Sequence, residues 1–181
     1  GLNFAFVTDK NPSTVAALNS LDIYSVASGG SVTTVFRITG GANDTVGDTV
    51  SDLNPAYGLV NHGLLFFSSN RVQDTSGVQT KLTTGRRLWV CTPDGPRKSQ
   101  VTDPTKRNFG KATDSDDYPA PSTTVGDQEK LAFHSNTLID SSDVTPDLNV
   151  WTITYNSSPA PQATPTPDPG LVVGDYGGNH V

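Results

Sequence analysis

Residue types that commonly carry out catalysis are few in this chain and lie far apart. The histidines are His62, His134 and His180, and no two of them have the i, i+4 spacing of a helical zinc site. The single cysteine, Cys91, cannot form a Cys-x-x-Cys pair or an internal disulfide. The chain has no Gly-x-Ser-x-Gly nucleophile elbow and no phosphate-binding Gly-x-x-x-x-Gly-Lys-Ser/Thr loop. We therefore expect no catalytic residue, no metal and no cofactor, and a protein that is not an enzyme.

Two groups of residues resemble a catalytic pair and a calcium site, but a structural interpretation is favoured for both. Ser135 directly follows His134, yet adjacent residues of a strand point to opposite faces of a sheet. The acidic run Asp114-Ser115-Asp116-Asp117 offers oxygen ligands to calcium, but it lacks the Gly and the closing Glu of an EF-hand loop. We favour a solvated or turn-capping acidic run over a calcium site.

Composition and charge exclude several classes of protein. The chain has 181 residues, a formal net charge of −6, 34% hydrophobic residues, and 17 Gly and 13 Pro. Nucleic-acid-binding proteins usually carry a basic stripe, whereas pairs such as Arg86-Arg87 and Lys106-Arg107 are isolated here. Apolar runs such as Leu64–Phe67 are too short to span a bilayer. We expect neither a nucleic-acid partner nor a membrane span, and the Gly and Pro content favours short strands joined by turns over helices.

An internal repeat organises the elements that must position these residues. An apolar strand with a central Phe is predicted in each of the segments Phe4–Asp9, Leu65–Asn70 and Leu131–Asn136. A second strand with an aromatic residue follows at Asp22–Val26, Arg87–Cys91 and Asn149–Ile153. Aligned on Phe6, Phe67 and Phe133 or on Tyr24, Trp89 and Trp151, the repeat has a period of about 64 residues.

The rest of each unit supplies further strands. Pro-containing strands are predicted at Asp52–Tyr57 and Asp116–Pro121, and short strands follow the turns after the second strand. Each unit thus has about four short antiparallel strands, the organisation of a propeller blade. We expect the recurring aromatic residues to pack between adjacent blades and Cys91 to be buried and inaccessible.

These segments resemble a known family. Phe67–Arg71, Leu88–Gly95 and Gln100–Thr102 are similar to the WD40-like (PD40) repeat of TolB-like β-propellers. The resemblance implies an all-β fold of four-stranded antiparallel blades, with about three repeats in residues 1–156. The repeats would cover about 1–60, 61–125 and 126–156. Repeats of this kind serve as scaffolds, docking modules and domains of larger enzymes.

Long segments between the first two strands of each unit indicate a binding face. Lys10–Ser20, Arg71–Arg86 and Thr137–Asp147 are longer than a tight hairpin turn. Insertions at the same corner of each repeat project from one face, which often binds the partner. We take four residues near these corners as candidates for contacts with a ligand or partner: Asn70, Arg71, Arg86 and Asn136. For Arg71 we favour structural hydrogen bonds to neighbouring carbonyls or carboxylates over such a contact.

The carboxyl-terminal part differs in kind. We expect residues 157–170 to be a Pro/Thr-rich linker of polyproline II type and residues 171–181 to be a tail with one short strand. That strand could pair with an exposed sheet edge in this or another molecule, so we take as assembly residues Leu171, Val172, Val173 and Tyr176. Glycosylation patterns occur at Asn43 and Asn156 (N-linked) and at Thr164 and Thr166 (O-linked).

The sequence favours a non-enzymatic binding or assembly module. A chain that begins with Gly1 and carries no signal peptide reads as one whose targeting segment has been removed, so we expect an extracellular or periplasmic protein. Its expected partners are another protein, a copy of itself, or glycans. The alternatives are a self-assembling subunit of an extracellular fibre or surface layer, and a propeller fragment of a larger hydrolase.

Overall fold

The described part of the protein consists mostly of antiparallel β-strands and has almost no helix. The computed structural model describes residues 3–12, 17–27, 35–40, 46, 49–58, 64–74, 76, 78–92, 98–123, 128–138, 148–156 and 177–179. The strands are β1 (Asn3–Lys10), β2 (Ala17–Ala27), β3 (Phe36–Arg37), β4 (Asp52–Tyr57), β5 (Leu65–Ser69), β6 (Arg71–Gln73), β7 (Gln79–Lys81), β8 (Arg87–Cys91), β9 (Lys98–Gln100), β10 (Asp116–Thr123), β11 (Gln128–Ser135), β12 (Asn149–Asn156) and β13 (Gly177–Asn179). A short 3-10 turn lies at Pro104–Lys106.

The strands form three main sheets and one small hairpin. The first sheet has the order β1-β2-β3, the second β4-β5-β8-β9 and the third β10-β11-β12-β13, while β6 and β7 form a separate two-stranded hairpin. Neighbouring strands in every sheet run antiparallel. The prediction of an all-β antiparallel protein is therefore confirmed.

The register of the sheets follows the sequence repeat. The two aromatic residues that define each repeat are direct cross-strand partners in all three sheets: Phe6 with Tyr24, Phe67 with Trp89, and Phe133 with Trp151. Cross-strand aromatic pairs of this kind stabilise a sheet through contact on one face. The spacing predicted from sequence therefore places equivalent side chains at equivalent points of the three sheets.

The first strand of the second and third sheets contains the same distortion. The pairing register shifts between Leu53 and Ala56 in β4 and between Asp117 and Ala120 in β10. The distorted segments contain the non-Gly residues with positive φ, Asn54 at 52° and Tyr118 at 56°. A bulge bends its strand and increases the local twist, so both sheets start with the same bend.

The core consists of two apolar layers, one on each face of the second sheet. Ile23 and Ile38 of the first sheet pack against one face, together with Leu65, Phe67, Trp89 and Cys91. The opposite face of the second sheet packs on the third sheet, through Leu64, Phe66, Leu88, Val90, Val101, Leu131, Phe133, Trp151 and Ile153. Because successive strand residues point to opposite faces, a sheet covered on both sides reads as a continuous apolar run such as Leu64–Phe67.

Five of the six recurring aromatic residues are buried, as predicted, whereas Phe6 is only partly buried. Trp89 and Cys91 are fully buried, and Trp151 is nearly so. Tyr24 and Phe133 are buried as well. The prediction that Trp89, Trp151 and Cys91 belong to the core is confirmed.

The expected insertions differ from one another. In the first insertion, Lys10 and residues 17–20 belong to β1 and β2, which pair as far as Lys10 and Ala17 after a bulge, and residues 13–16 lie outside the described residues. A hydrogen-bonded ladder satisfies backbone groups that a long loop would leave to water. The second insertion contains the hairpin β6–β7, and residues 139–147 of the third lie outside the described residues.

The tail contributes a strand to the third sheet. β13 pairs antiparallel with β12, with Val150 opposite Asn179 and Thr152 opposite Gly177. The predicted assembly residues Leu171, Val172, Val173 and Tyr176 lie just before it, outside the described residues. Among the described residues, no helix is long and apolar enough to cross a membrane.

Candidate functional site

A buried arginine lies on the aromatic pair of the second sheet. Arg71 is fully buried, and its guanidinium pairs with the buried carboxylate of Asp52 at 2.5 Å. Its Nε also donates to the hydroxyl of Ser69 at 3.0 Å. The guanidinium carbon lies 5.9 Å from the ring centre of Phe67 and 5.5 Å from that of Trp89, within cation–π range. The predicted structural role of Arg71 is confirmed, because its donors are directed at neighbouring protein groups.

The third sheet contains the same cluster, with its arginine from another part of the chain. Arg107 follows the 3-10 turn and binds both oxygens of Asp116, at 2.9 and 2.7 Å. The Arg107 Nη1 also donates to the hydroxyls of Ser135 and Thr137, each at 2.8 Å. Its guanidinium carbon lies 4.9 Å from the ring centre of Trp151. The repeat alignment puts Thr137 at the position of Arg71, so the third sheet obtains its cation from the preceding connection.

These two clusters neutralise charge inside the core. An unpaired buried charge is strongly unfavourable, whereas here each carboxylate faces a guanidinium that is satisfied further by hydroxyl groups. No sequence motif indicated Arg107 or its pairing with Asp116. The repeat of Asp52 at Asp116 was the available signal, because a buried aspartate requires a cation nearby.

A third buried arginine joins the second and third sheets. Arg87 donates to the backbone carbonyls of Arg86, Ala112 and Asp114, at 2.8–2.9 Å. Burial lowers the pKa of Arg87 below its ordinary value, and the nearby carboxylate of Asp116 offsets only part of this effect. The guanidinium therefore serves to satisfy carbonyl groups of the connection between the sheets and is not presented to solvent.

Arg86 lies at the surface where the second and third sheets meet. Its guanidinium is 3.1 Å from the carboxylate of Asp117, and its side chain is 40% exposed. Asp117 also accepts a long hydrogen bond from the side chain of Asn54 in β4, at 3.4 Å. The backbone carbonyl of Arg86 accepts from the amide of Asp116. The junction is therefore linked by both backbone and side-chain contacts.

A polar depression of about 280 Å³ opens at this junction. It brings together two of the candidate residues, Asn70 and Arg86, and its lining includes Ser51, Thr83, Thr84, Gly85 and Ser115. The hydroxyl, amide and guanidinium groups of this lining can donate to and accept from a polar ligand. Gly85 has a φ of 81°, and a Cβ there would collide with the backbone carbonyl of Asp114, so only glycine fits this wall.

The two candidate asparagines occupy equivalent positions. The Asn70 side-chain oxygen accepts from the amide of Ser51 at 2.8 Å, and that of Asn136 accepts from the amide of Ser115 at 2.7 Å. Each asparagine thus holds the backbone just before the buried aspartate of its sheet. Asn70 lines the depression directly, whereas Asn136 acts on it through Ser115.

The acidic run, the His134–Ser135 pair and the glycosylation patterns are the other features predicted from the sequence. In the acidic run, Asp116 and Asp117 face arginines, and Asp114 accepts from the Lys111 amide and the Thr137 hydroxyl. The described residues contain no group of three or more His, Cys, Asp or Glu that could hold a metal ion. His134 is exposed and Ser135 buried, on opposite faces as predicted. Asn156 ends β12, and the other glycosylation candidates, Asn43, Thr164 and Thr166, lie outside the described residues.

Comparisons with known proteins identify no relative of this chain. No protein-family model matches it, and neither curated proteins nor solved structures give a significant match.

Proposed function

We propose that this chain is a binding or assembly module of the β-propeller type, without catalytic activity of its own, which works outside the cytoplasm. One observation carries the proposal: the second and third sheets repeat the same architecture in atomic detail. Both are four-stranded, start with a bulged strand, and bury an aspartate–arginine pair on a cross-strand aromatic pair.

The strand order supports blades of propeller type and the resemblance to TolB-like repeats. In both four-stranded sheets the strands pair in chain order, interrupted in the second sheet only by the hairpin β6–β7. The sheets pack face to face through apolar layers, as neighbouring blades do. Repeat folds of this kind present a partner surface where corresponding loops of adjacent units meet.

The polar depression around Asn70 and Arg86 is the partner surface that we propose. Arg86 is a cation at the junction of two units, and the Thr83, Thr84 and Ser115 hydroxyls surround it. An arginine flanked by hydroxyl and amide groups suits the carboxylate or hydroxyl groups of a peptide or glycan. The proposed location outside the cytoplasm rests on the sequence, namely the Thr/Pro-rich linker and the N-glycosylation patterns.

Screening the intact protein against peptide and glycan arrays tests this proposal. We expect binding of one class without turnover, and a loss of about tenfold in affinity for Arg86→Ala, as for other charge-assisted contacts. Lys130→Ala, at an exposed position of the third sheet, is the matched control and should bind normally. Chemical conversion of the bound compound would contradict a non-enzymatic module.

A self-assembling structural subunit is the second candidate. The observation that favours it is an open sheet edge: no described strand pairs with β1 on the side away from β2. Exposed sheet edges promote association between chains. Sedimentation over a wide concentration range separates the two candidates, because an isolated module stays a single chain and a structural subunit forms larger species.

A further inference from the structure

The second and third sheets complete their first edge with a strand that carries an aspartate. β4 covers β5 and places Asp52 opposite Ser69, whereas β10 covers β11 and places Asp116 opposite Ser135. In each case the aspartate and the serine hydroxyl share one arginine. The strand thus brings both backbone pairing and a carboxylate to its sheet.

The first sheet has the hydroxyl residue and the basic residue of this arrangement, without the strand that carries the aspartate. The backbone amide two residues after the hydroxyl donates to it in all three sheets: Lys10 to Thr8 at 3.0 Å, Arg71 to Ser69 at 3.1 Å and Thr137 to Ser135 at 3.2 Å. Thr8 therefore corresponds to Ser69, and Lys10 to Arg71. No described strand pairs with the other edge of β1, so within the described part of the chain no aspartate takes the place of Asp52 there.

The charges around this edge leave Lys10 available. Lys10 and Asp9 are exposed, and Asp22, the register partner of Thr8, is buried. Asp22 already faces the guanidinium of Arg37 at 2.5 Å. An incoming carboxylate would therefore meet a hydroxyl and an ammonium group, with the nearest buried carboxylate already neutralised.

The apolar surface beside this edge is also partly open. Phe4 on β1 is 59% exposed. Phe6 and Tyr24 stack with ring centres 5.9 Å apart, at the register position where Phe67 and Trp89 carry an arginine in the second sheet. A bound strand would cover apolar area as well as backbone groups.

We propose that the free edge of β1 binds an extended strand of a partner polypeptide, which presents an aspartate to Thr8 and Lys10 as Asp52 and Asp116 do in the other sheets. This inference rests on the proposed function as a binding module and names the chemistry of its partner. Main-chain pairing supplies affinity in such strand addition, and the carboxylate supplies register and specificity.

The partner is a different polypeptide and not a second copy of the described strands. β4 and β10 carry the fitting aspartates, but both are already paired in their own sheets. A second copy would have to release one of these strands and expose a buried arginine, which is strongly unfavourable.

A peptide with the sequence of residues 50–58, Val-Ser-Asp-Leu-Asn-Pro-Ala-Tyr-Gly, is a direct probe. We expect the labelled peptide to bind the intact protein and to slow amide hydrogen exchange in β1. The peptide with Asp replaced by Asn should bind about tenfold more weakly, because it loses a charge-assisted contact. The protein variant Lys10→Gln should show a similar loss for the Asp peptide, with little further loss for the Asn peptide. Lys130→Gln should bind as the unchanged protein does.

Several results would overturn the inference. These are absence of peptide binding, equal affinity for the Asp and Asn peptides, protection confined to strands other than β1, or concentration-dependent protection of β1 without peptide. Array binding that depends on Arg86 is measured independently. If it persists while the peptide fails, the β1 inference is wrong and the proposed function stands; if Arg86-dependent binding fails while the peptide behaves as expected, the depression is not the partner surface.

Discussion

Arg71 and Arg107 reach the same kind of site from different places in the chain. Arg71 begins β6, and Arg107 follows the 3-10 turn after β9, yet both lie over a Phe and a Trp and face a buried aspartate. In both sheets a buried carboxylate is neutralised by a cation. The sequence position of that cation is free to vary, since either connection passes over the aromatic pair.

Breaking the buried pair should therefore cost much more than breaking the exposed one. For Arg71→Met we expect a loss of about 3–5 kcal/mol in the free energy of unfolding, because Asp52 is left buried without a counter-charge. For Arg86→Met, whose pair with Asp117 is 40% exposed on the arginine side, we expect a loss of at most about 1 kcal/mol. Urea unfolding of both variants measures the difference. Equal losses would mean that burial does not set the value of these pairs.

Trp89 is expected to be among the residues most sensitive to truncation. It is fully buried between the first and second sheets, and its indole nitrogen donates to the backbone carbonyl of Arg71. Trp89→Ala should destabilise the protein by about 3–5 kcal/mol, through lost burial and the remaining cavity. Phe4→Ala, at a mostly exposed aromatic residue, should change stability by less than about 0.5 kcal/mol. Thermal unfolding of the two variants provides the comparison, and a similar shift in both would contradict the assigned core.

At the scale of the strands, β4 and β10 share a bulge at the same position. Asn54 and Tyr118 occupy the left-handed region in β4 and β10, each directly before a proline. This conformation is unfavourable for most L-residues and is tolerated best by Gly and Asn. In both strands the bend begins one residue after the buried aspartate, Asp52 or Asp116, that pairs with an arginine.

Substitutions at Asn54 separate backbone strain from side-chain contact. Asn54→Val should destabilise by about 1–2 kcal/mol, because a β-branched residue is disfavoured at positive φ. Asn54→Gly keeps the backbone conformation and removes only the long contact to Asp117, so we expect a loss below about 1 kcal/mol. Denaturant midpoints of the two variants distinguish the causes. A larger loss for the Gly variant would assign the effect to the side chain.

At the scale of the molecule, the three main sheets of the described residues form a stack in which the second sheet is covered on both faces. The third sheet includes β13 from beyond the Pro/Thr-rich linker, so the last described strand of the chain stabilises the sheet nearest to it in sequence. This contact lies within one chain. It gives the tail a role in the fold, alongside the role in assembly predicted for residues 171–176.

Removal of residues 157–181 tests both roles. We expect the shortened chain to stay folded, because the two apolar layers are formed without the tail, while amides of β12 exchange faster at the edge that β13 covered. If residues 171–176 join subunits, light scattering will also show weaker association than for the intact chain. If the shortened and the intact chain show the same degree of association at every concentration, the tail acts only within its own chain.

The strand repeat and much of the core could be predicted from the sequence. Alternating apolar residues and recurrent turns predicted antiparallel strands, and the spacing of Phe6, Phe67 and Phe133 predicted their common register, because strand periodicity is a local property. The sequence also indicated the burial of Trp89 and Cys91. Contacts between separated parts of the chain could be seen only in the tertiary structure. These are the pairing of Arg107 with Asp116, the common depression of Asn70 and Arg86, and the pairing of β13 with β12. Those contacts depend on how sheets stack and connections cross, which local periodicity does not encode.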